Sequence, residues 1–160
     1  MLEVLAYALD EATEGLTRRI DVVLHGDGSV EVVDDGRGTD TRPDASGVLH
    51  VKPIMATADL RFFSAEDPPV LADGRDRRGL SVVAALSPRL EHENRRPDGV
   101  GFRARYAHGE PVGAPVPLTV VEGTGTSVRW WGDEVDRDRL ERLVVRAATA
   151  SPAVVQLRSD

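Results

Sequence analysis

A carboxylate-and-glycine segment at the end of a predicted strand constrains this chain most: Val32-Val33-Asp34-Asp35-Gly36-Arg37-Gly38. Because glycine has no side chain, a ligand can lie directly against the backbone at these positions. The carboxylate of Asp34 can then accept a hydrogen bond from an amino group of that ligand. A helix rich in acidic residues comes before the strand. The segment therefore predicts a small-molecule site at a strand end, and a purely structural cap by Asp34 is the alternative interpretation.

The first part of the chain reads as a helix followed by a hairpin. Residues 2–14 form an amphipathic pattern that ends at Gly15, a residue suited to a left-handed helix cap. Residues 20–25 and 30–34 alternate around the turn sequence 26–29, which predicts a β-hairpin. Four leucines recur at helical spacing and are expected to face the core: Leu2, Leu5, Leu9 and Leu16.

The middle of the chain is rich in turn-forming residues. A loop is predicted over residues 36–46, a short helix over residues 48–59 and a long exposed loop over residues 63–74, which contains Pro68-Pro69. Small and branched apolar residues over 80–86 predict a buried helix.

The second half reads mostly as sheet. Strands are predicted over residues 89–95 and 100–107, around Pro97-Asp98-Gly99, and over residues 117–122 and 126–131, around Gly123-Thr124-Gly125. A charged amphipathic helix over 136–149 and a last strand over 153–157 complete the chain. This order predicts an α+β fold, a two-layer α/β sandwich with helices on one face of a mixed, mostly antiparallel sheet.

Composition narrows the class of protein. The 160 residues suit a single domain, and the net charge of −7 disfavours a surface that tracks nucleic-acid phosphates. No cysteine is present, so disulfides and thiolate metal sites are excluded. No segment resembles a signal peptide or a membrane span, which predicts no contact with a membrane and a cytoplasmic location.

Several motifs recur in one order and together resemble the ATP-binding domain of the B subunit of DNA gyrase, a member of the GHKL ATPase superfamily. On the first helix, Glu3 precedes Asp10-Glu11-Ala12 at the family's spacing. The glycine hairpin and the segment 34–38 follow as they do in the family. Further counterparts are residues 80–87, 108–111 and 124–131. The resemblance spans essentially the whole chain and implies the GHKL, or Bergerat, form of the predicted sandwich.

The resemblance implies roles for individual residues. In the family, the glutamate matched by Glu3 activates the attacking water and the aspartate matched by Asp34 accepts from the adenine amino group, so these two are the catalytic candidates. The threonine matched by Thr126 holds a water beside that aspartate. The candidates for ligand binding are Tyr7, Asp10, Arg37, Gly38, Arg96 and Thr126. A solvated acidic face on the first helix is the alternative for its polar residues.

Departures from the family pattern cluster at the metal and phosphate end. Tyr7 stands where the family has a magnesium-binding asparagine, and a phenol is a poor magnesium ligand. Only two of the four lid glycines survive in residues 73–79. Arg75, Arg77 and Arg78 either bind phosphate in their place or form a solvated basic turn. The sequence therefore predicts no metal site, disfavours ATP and magnesium as cofactors, and predicts that ATP hydrolysis is lost.

Four functions fit these residues. The expected function is that of a stand-alone, degenerate gyrase-B-like domain, residues 1–160, that binds a small organic ligand in the former nucleotide pocket. The main alternative is a repurposed enzyme whose carboxylates perform acid–base chemistry on a non-nucleotide metabolite: a cyclisation, elimination or isomerisation. A residual ATP switch and a protein-interaction module are the others. Neither a transducer nor a DNA-cleavage domain is expected, and therefore no direct DNA cleavage; a protein partner is left open.

Overall fold

The computed structural model describes residues 1–39, 42–43, 45–46, 49–50, 66, 68–119, 123–132 and 136–160. Three helices lie in this part of the chain: α1 (Leu2–Thr13), α2 (Leu80–Leu86) and α3 (Arg137–Thr149). The strands are β1 (Arg19–Leu24), β2 (Val30–Asp34), β3 (Arg42–Pro43), β4 (Leu49–His50), β5 (Arg89–Arg95), β6 (Gly101–Ala107), β7 (Glu110–Pro111), β8 (Val116–Pro117), β9 (Gly125–Trp131) and β10 (Val154–Ser159).

The main sheet has eight strands and is mostly antiparallel. Seven strands run in the order β10-β1-β2-β9-β5-β6-β7, and β8 pairs with β6. Only β1 and β10 pair in parallel among the described strands, so the sheet is mixed, as predicted. This order places β2 and β5 on either side of β9, which brings the end of β2 and the middle of β5 to one region.

The two faces of the sheet differ in chemistry. One face packs against the helices, and its core includes Leu5 of α1, Ile20 and Val22 of β1, Leu90 of β5 and Phe102 of β6. The other face carries rows of charged side chains, among them an ion pair in which Arg105 Nε lies 3.1 Å from Glu91 Oε1. Alternation of apolar and charged residues along the strands therefore sets which face meets the helices. The predicted sandwich is confirmed.

The predicted helix ends and hairpins follow from local chemistry. Helix α1 ends near Gly15, whose φ of 76° is left-handed as predicted. In the first hairpin, Asp27 Oδ1 accepts from the backbone N–H of Ser29 at 3.0 Å and from its hydroxyl at 2.6 Å. Helix α3 begins after Asp136, whose carboxylate accepts from the backbone N–H of Arg139 at 2.9 Å. The strand predicted at the C-terminal end is confirmed as β10.

Several sequence-based expectations are wrong. Leu16 is 37% exposed rather than in the core, because the chain turns at Gly15 and the helical period ends there. The strand predicted over 117–122 is reduced to Val116–Pro117 within the described residues, and it pairs with β6. Proline cannot donate to a strand ladder, which favours a short edge strand there.

The segment after β2 also departs from the prediction. The loop predicted over 36–46 contains a short strand, Arg42–Pro43. The helix predicted over 48–59 begins where the structure has the strand Leu49–His50, and its remainder lies outside the described residues. Among the described residues, none of the helices combines the length and apolar character required to cross a bilayer.

Candidate functional site

Asp34, the last residue of β2, is held by groups from two neighbouring segments of the chain. Its Oδ1 accepts from the backbone N–H of Gly36 at 2.9 Å and from the backbone N–H of Thr126 at 3.2 Å. The Thr126 hydroxyl donates to Oδ2. We call Asp34, Gly36 and Thr126 the Asp34 side of the site. The antiparallel pairing of β2 with β9 positions these groups, so the structure brings Asp34 and Thr126, two of the predicted site residues, into direct contact.

Glycines allow the backbone to approach closely here. A Cβ added at Gly36 would lie 2.6 Å from Glu11 Oε2 and 2.6 Å from Thr17 Oγ1. A Cβ added at Gly125 would overlap the carbonyl oxygen of Asp34, and the φ of 121° at Gly125 is itself unfavourable for other residues. A Cβ added at Gly38, where φ is 73°, would lie 2.6 Å from Asn94 Oδ1. The glycines are therefore needed to position the Asp34 carboxylate and the loop after it.

A narrow cavity of about 80 Å³ lies between α1 and the sheet, next to Asp34. Its described apolar lining is Val4, Ala8, Val32, Leu80 and Val128. Its described polar lining is Tyr7, Glu11, Asp34, Thr39, His92 and Thr126. Apolar walls with a few fixed polar groups are typical of small-ligand sites. We call this space the Asp34 cavity.

Burial changes the acidity of two carboxyl groups in the Asp34 cavity. Desolvation raises the pKa of Asp34 above its ordinary value, and hydrogen bonds from Thr126 and Gly36 oppose that increase. Desolvation also raises the pKa of Glu11, the negative charge of Asp34 adds to the increase, and Arg37 opposes it. The cavity thus combines acceptor groups with an environment that disfavours additional negative charge.

A different arrangement adjoins the Asp34 cavity, and we call it the Arg77 side: Tyr7, which also lines the cavity, Asp10 and Arg77. The guanidinium carbon of Arg77 lies 4.5 Å from the centre of the Tyr7 ring. Its Nη1 donates to Asp10 Oδ2 at 2.7 Å, and the Arg77 side chain is only 6% exposed. The backbone N–H of Arg77 donates to the carbonyl of Pro69 at 2.8 Å, which anchors the segment that carries it.

The residues of the Arg77 side do not fit a magnesium site. Magnesium requires several oxygen ligands in octahedral geometry, whereas Tyr7 offers a phenol and the Asp10 carboxylate already pairs with a guanidinium. A fixed positive charge at this position also repels a second cation. Within the described part of the chain, no cluster of three or more histidine, aspartate or glutamate side chains could hold a metal ion.

Glu3 faces away from the Asp34 cavity. Its carboxylate accepts from the backbone N–H of Arg78 at 2.7 Å and from the backbone N–H of Gly79 at 2.9 Å, just before α2 begins. It lines a separate, wider cavity of about 540 Å³ that α1 shares with α2 and residues 71–78. The structure therefore does not bring Glu3 together with Asp34, the other catalytic candidate.

Arg37 and Arg96, two of the ligand-binding candidates, lie near the Asp34 cavity without lining it. Arg37 is exposed, and its Nε lies 3.5 Å from Glu11 Oε1. Arg96 donates through Nη1 to the carbonyl of Thr39 at 3.3 Å and through Nε to Asp98 at 3.3 Å. Each arginine thus contacts a residue that lines the cavity.

Sequence reasoning missed two polar residues on the inner face of β5. His92 and Asn94 are 4% and 0% exposed, and they lie on the same face of the strand as the buried Leu90. Asn94 Oδ1 accepts from the backbone N–H of Thr39 at 2.6 Å, and Asn94 Nδ2 donates to the carbonyl of Thr39 at 3.2 Å. The sequence signal that could have identified these two residues is the presence of polar side chains at strand positions that face the core.

A strand-end carboxylate paired with a threonine, beneath the first helix of an α+β sandwich, is consistent with the resemblance to the ATP-binding domain of gyrase B. Comparison with known proteins agrees. The chain is 39% identical over 131 residues to the B subunit of DNA gyrase from Mycobacterium tuberculosis strain H37Rv, covering 82% of the chain and 19% of that protein. No family model matches the chain.

Two further relatives extend the comparison. The B subunit of DNA topoisomerase 4 from Escherichia coli K12 is 36% identical over 166 aligned residues, covering 95% of the chain and 26% of that protein. The mitochondrial DNA gyrase B subunit of Arabidopsis thaliana is 38% identical over 139 aligned residues, covering 82% of the chain and 19% of that protein. The chain spans about a fifth to a quarter of the length of these relatives. Over the matched region it is homologous to the B subunits of DNA gyrase and topoisomerase IV.

Proposed function

We propose that the Asp34 cavity binds a small planar organic ligand through its hydrogen-bonding edge, and that the chain does not hydrolyse magnesium-bound ATP. The observation that carries the proposal is the Asp34 carboxylate, held by Gly36 and Thr126 at the wall of a mainly apolar cavity. A carboxylate has about four acceptor sites and these donors use three, so one remains for a ligand.

The apolar walls support a flat ligand rather than an extended one. Val32 and Val128 are directly paired on β2 and β9 and form part of the sheet side, while Val4 and Ala8 approach from α1. A ring between these surfaces buries both of its faces, and its edge reaches Asp34. Burial of apolar area then supplies most of the affinity, and the hydrogen bond orients the ligand.

The Arg77 side supports the second part of the proposal. A protein cation and its carboxylate partner lie at the position that the family resemblance assigns to metal binding. The Glu3 carboxylate, the candidate general base, is engaged by two backbone N–H groups. Phosphoryl transfer depends on a metal to neutralise developing charge and on a positioned base. The Arg77–Asp10 ion pair conflicts with metal binding, and the hydrogen bonds to Glu3 conflict with its action as a base.

A repurposed enzyme is the second candidate function, and one observation favours it. Asp34 and Glu11 both line the Asp34 cavity and both have raised pKa values. Carboxyl groups with raised pKa values suit proton transfer. In this alternative the pair is Asp34 and Glu11, because Glu3 faces the other cavity. An Asp34→Asn variant that keeps ligand affinity but loses turnover of that ligand would favour the enzyme.

The proposal is tested by calorimetric titration and thermal unfolding with adenosine, ATP, and ATP with magnesium. We expect adenosine to bind and magnesium to add nothing to the effect of ATP. Asp34→Asn preserves the shape of the side chain but removes its charge, so adenosine affinity is expected to fall about tenfold or more. Asp138→Asn, an exposed change on α3, serves as the matched control and is expected to leave affinity unchanged.

Two results would contradict the proposal. Stabilisation by ATP that requires magnesium would show that the metal end still functions. Equal adenosine affinity in the wild type and in Asp34→Asn would show that the ligand does not use the Asp34 carboxylate.

A further inference from the structure

His92 lies at the centre of the sheet, where three strands meet. On β5 it pairs with Ala104 of β6 and with Val128 of β9. Its side chain lies on the inner face of the sheet and lines the Asp34 cavity together with Asp34 and Thr126. The ring packs edge-on against Phe102, with ring centres 5.8 Å apart and planes at 85°. This packing limits the orientations that the imidazole can adopt.

The imidazole is buried but has no hydrogen-bond partner among the described residues. A buried polar group without a protein partner costs the folded state free energy unless a molecule in the cavity forms a hydrogen bond with it. Desolvation lowers the pKa of His92 to about 4, so the ring is neutral at physiological pH. A neutral imidazole has one N–H donor and one acceptor nitrogen. Both its position and its chemistry therefore suit contact with a molecule in the cavity.

The geometry points to His92 as a second ligand-binding residue, one that selects an uncharged aromatic heterocycle carrying a ring nitrogen as well as an amino group. This inference rests on the proposed function and extends it from one hydrogen-bonding partner to two. Asp34 accepts from the amino group, and the ring N–H of His92 donates to the acceptor nitrogen of the heterocycle. None of the described residues that line the cavity is lysine or arginine, so an anionic ligand gains no countercharge there.

The test is a set of titrations with three bicyclic probes: adenine, benzimidazole and indole. Adenine and benzimidazole carry an acceptor ring nitrogen that indole lacks. In His92→Leu, we expect affinity for adenine and benzimidazole to fall about two- to tenfold and affinity for indole to stay the same. His92→Gln, which retains a donor and an acceptor, is expected to recover part of the loss. Nitrogen NMR of the wild-type histidine ring should shift on binding adenine but not indole.

The outcomes separate this inference from the proposed function. If His92→Leu weakens all three probes equally, or none of them, the selective role of His92 is overturned. If adenine binding is sensitive to Asp34→Asn but not to His92→Leu, only the inference about His92 fails. If none of the probes binds the wild type, the ligand cavity itself is refuted, and this inference fails with it.

Discussion

The Asp34 side and the Arg77 side both lie next to the first helix, yet their charged groups are arranged in opposite ways. On the Asp34 side, a carboxylate is oriented by N–H and O–H donors and still faces a cavity. On the Arg77 side, the guanidinium of Arg77 is matched by the carboxylate of Asp10 and covered by the ring of Tyr7. One arrangement leaves acceptor capacity for a ligand, whereas the other satisfies its charges within the protein. Two neighbouring arrangements can thus differ in function, because one keeps a carboxylate available to a ligand while the other pairs its charges within the protein.

The largest expected effect concerns the backbone that supports the Asp34 side. Gly125→Ala places a Cβ onto the carbonyl of Asp34 and forces an alanine to a φ of 121°. We expect the free energy of unfolding to fall by about 3 to 5 kcal/mol, as measured by urea denaturation. Gly123→Ala is the matched control: it also has a positive φ of 71°, but its Cβ would meet open space among the described residues. Its expected cost is only about 1 kcal/mol. Equal losses would show that close approach to Asp34 is unimportant.

The second effect is a pH dependence of folding stability that originates from His92, a residue that lines the Asp34 cavity. The pKa of His92 is lowered from 6.5 to about 4 in the folded protein, so the unfolded chain binds more protons between these values. This group therefore reduces stability as pH falls from 6.5 towards 4, by about 3 kcal/mol in total, and has no effect above 6.5.

The measurement is urea denaturation across that pH range in the wild type and in His92→Leu. Asp34 and Glu11 have raised pKa values and contribute with the opposite sign, but they remain in both proteins. The difference between the two curves therefore isolates His92, and we expect the variant to lose less stability on acidification. Parallel curves would contradict a buried neutral imidazole.

A smaller effect is expected from the ion pair of the Arg77 side. Asp10→Asn removes the charge that lies 2.7 Å from the buried Arg77, and we expect a loss of about 2 kcal/mol in unfolding free energy. Asp76→Asn breaks a comparable pair with Arg78, but both of those side chains are about half exposed. Its expected cost is below about 0.5 kcal/mol. If the two variants behave alike, the Arg77 side is an ordinary surface pair.

The smallest effect concerns Glu3. In Glu3→Gln, one oxygen remains to accept from the N–H groups of Arg78 and Gly79, so we expect a loss of about 1 kcal/mol in unfolding free energy. Adenosine affinity should be unchanged, because Glu3 lines the other cavity. Glu14→Gln, at the exposed end of the same helix, is the control and should change neither quantity. An ATP turnover that the wild type shows and Glu3→Gln abolishes would instead assign Glu3 its role as general base.

Much of the Asp34 side could be predicted from the sequence. The strand that ends at Asp34, the glycines after it and the threonine near the start of β9 are read from local patterns and from the resemblance. The Arg77 side could not be predicted, since a turn with Arg75, Arg77 and Arg78 is compatible with phosphate binding, solvent exposure or burial. Which of these occurs for Arg77 depends on the position of residues 68–79 relative to α1, and that is a tertiary property.

By itself, the sequence determined the order of the three described helices and of the longer strands, the need for glycine around Asp34 and the absence of thiol chemistry, because periodicity, glycine backbone freedom and composition are local properties. Only the tertiary structure decided which charges meet. In the folded protein, the Glu3 carboxylate accepts from two backbone N–H groups, and Arg77 is buried against the ring of Tyr7. The tertiary structure also brought His92 of β5 to the cavity of Asp34, because β9 lies between β5 and β2. These contacts join residues that are distant along the chain, and long-range strand pairing and packing bring them together.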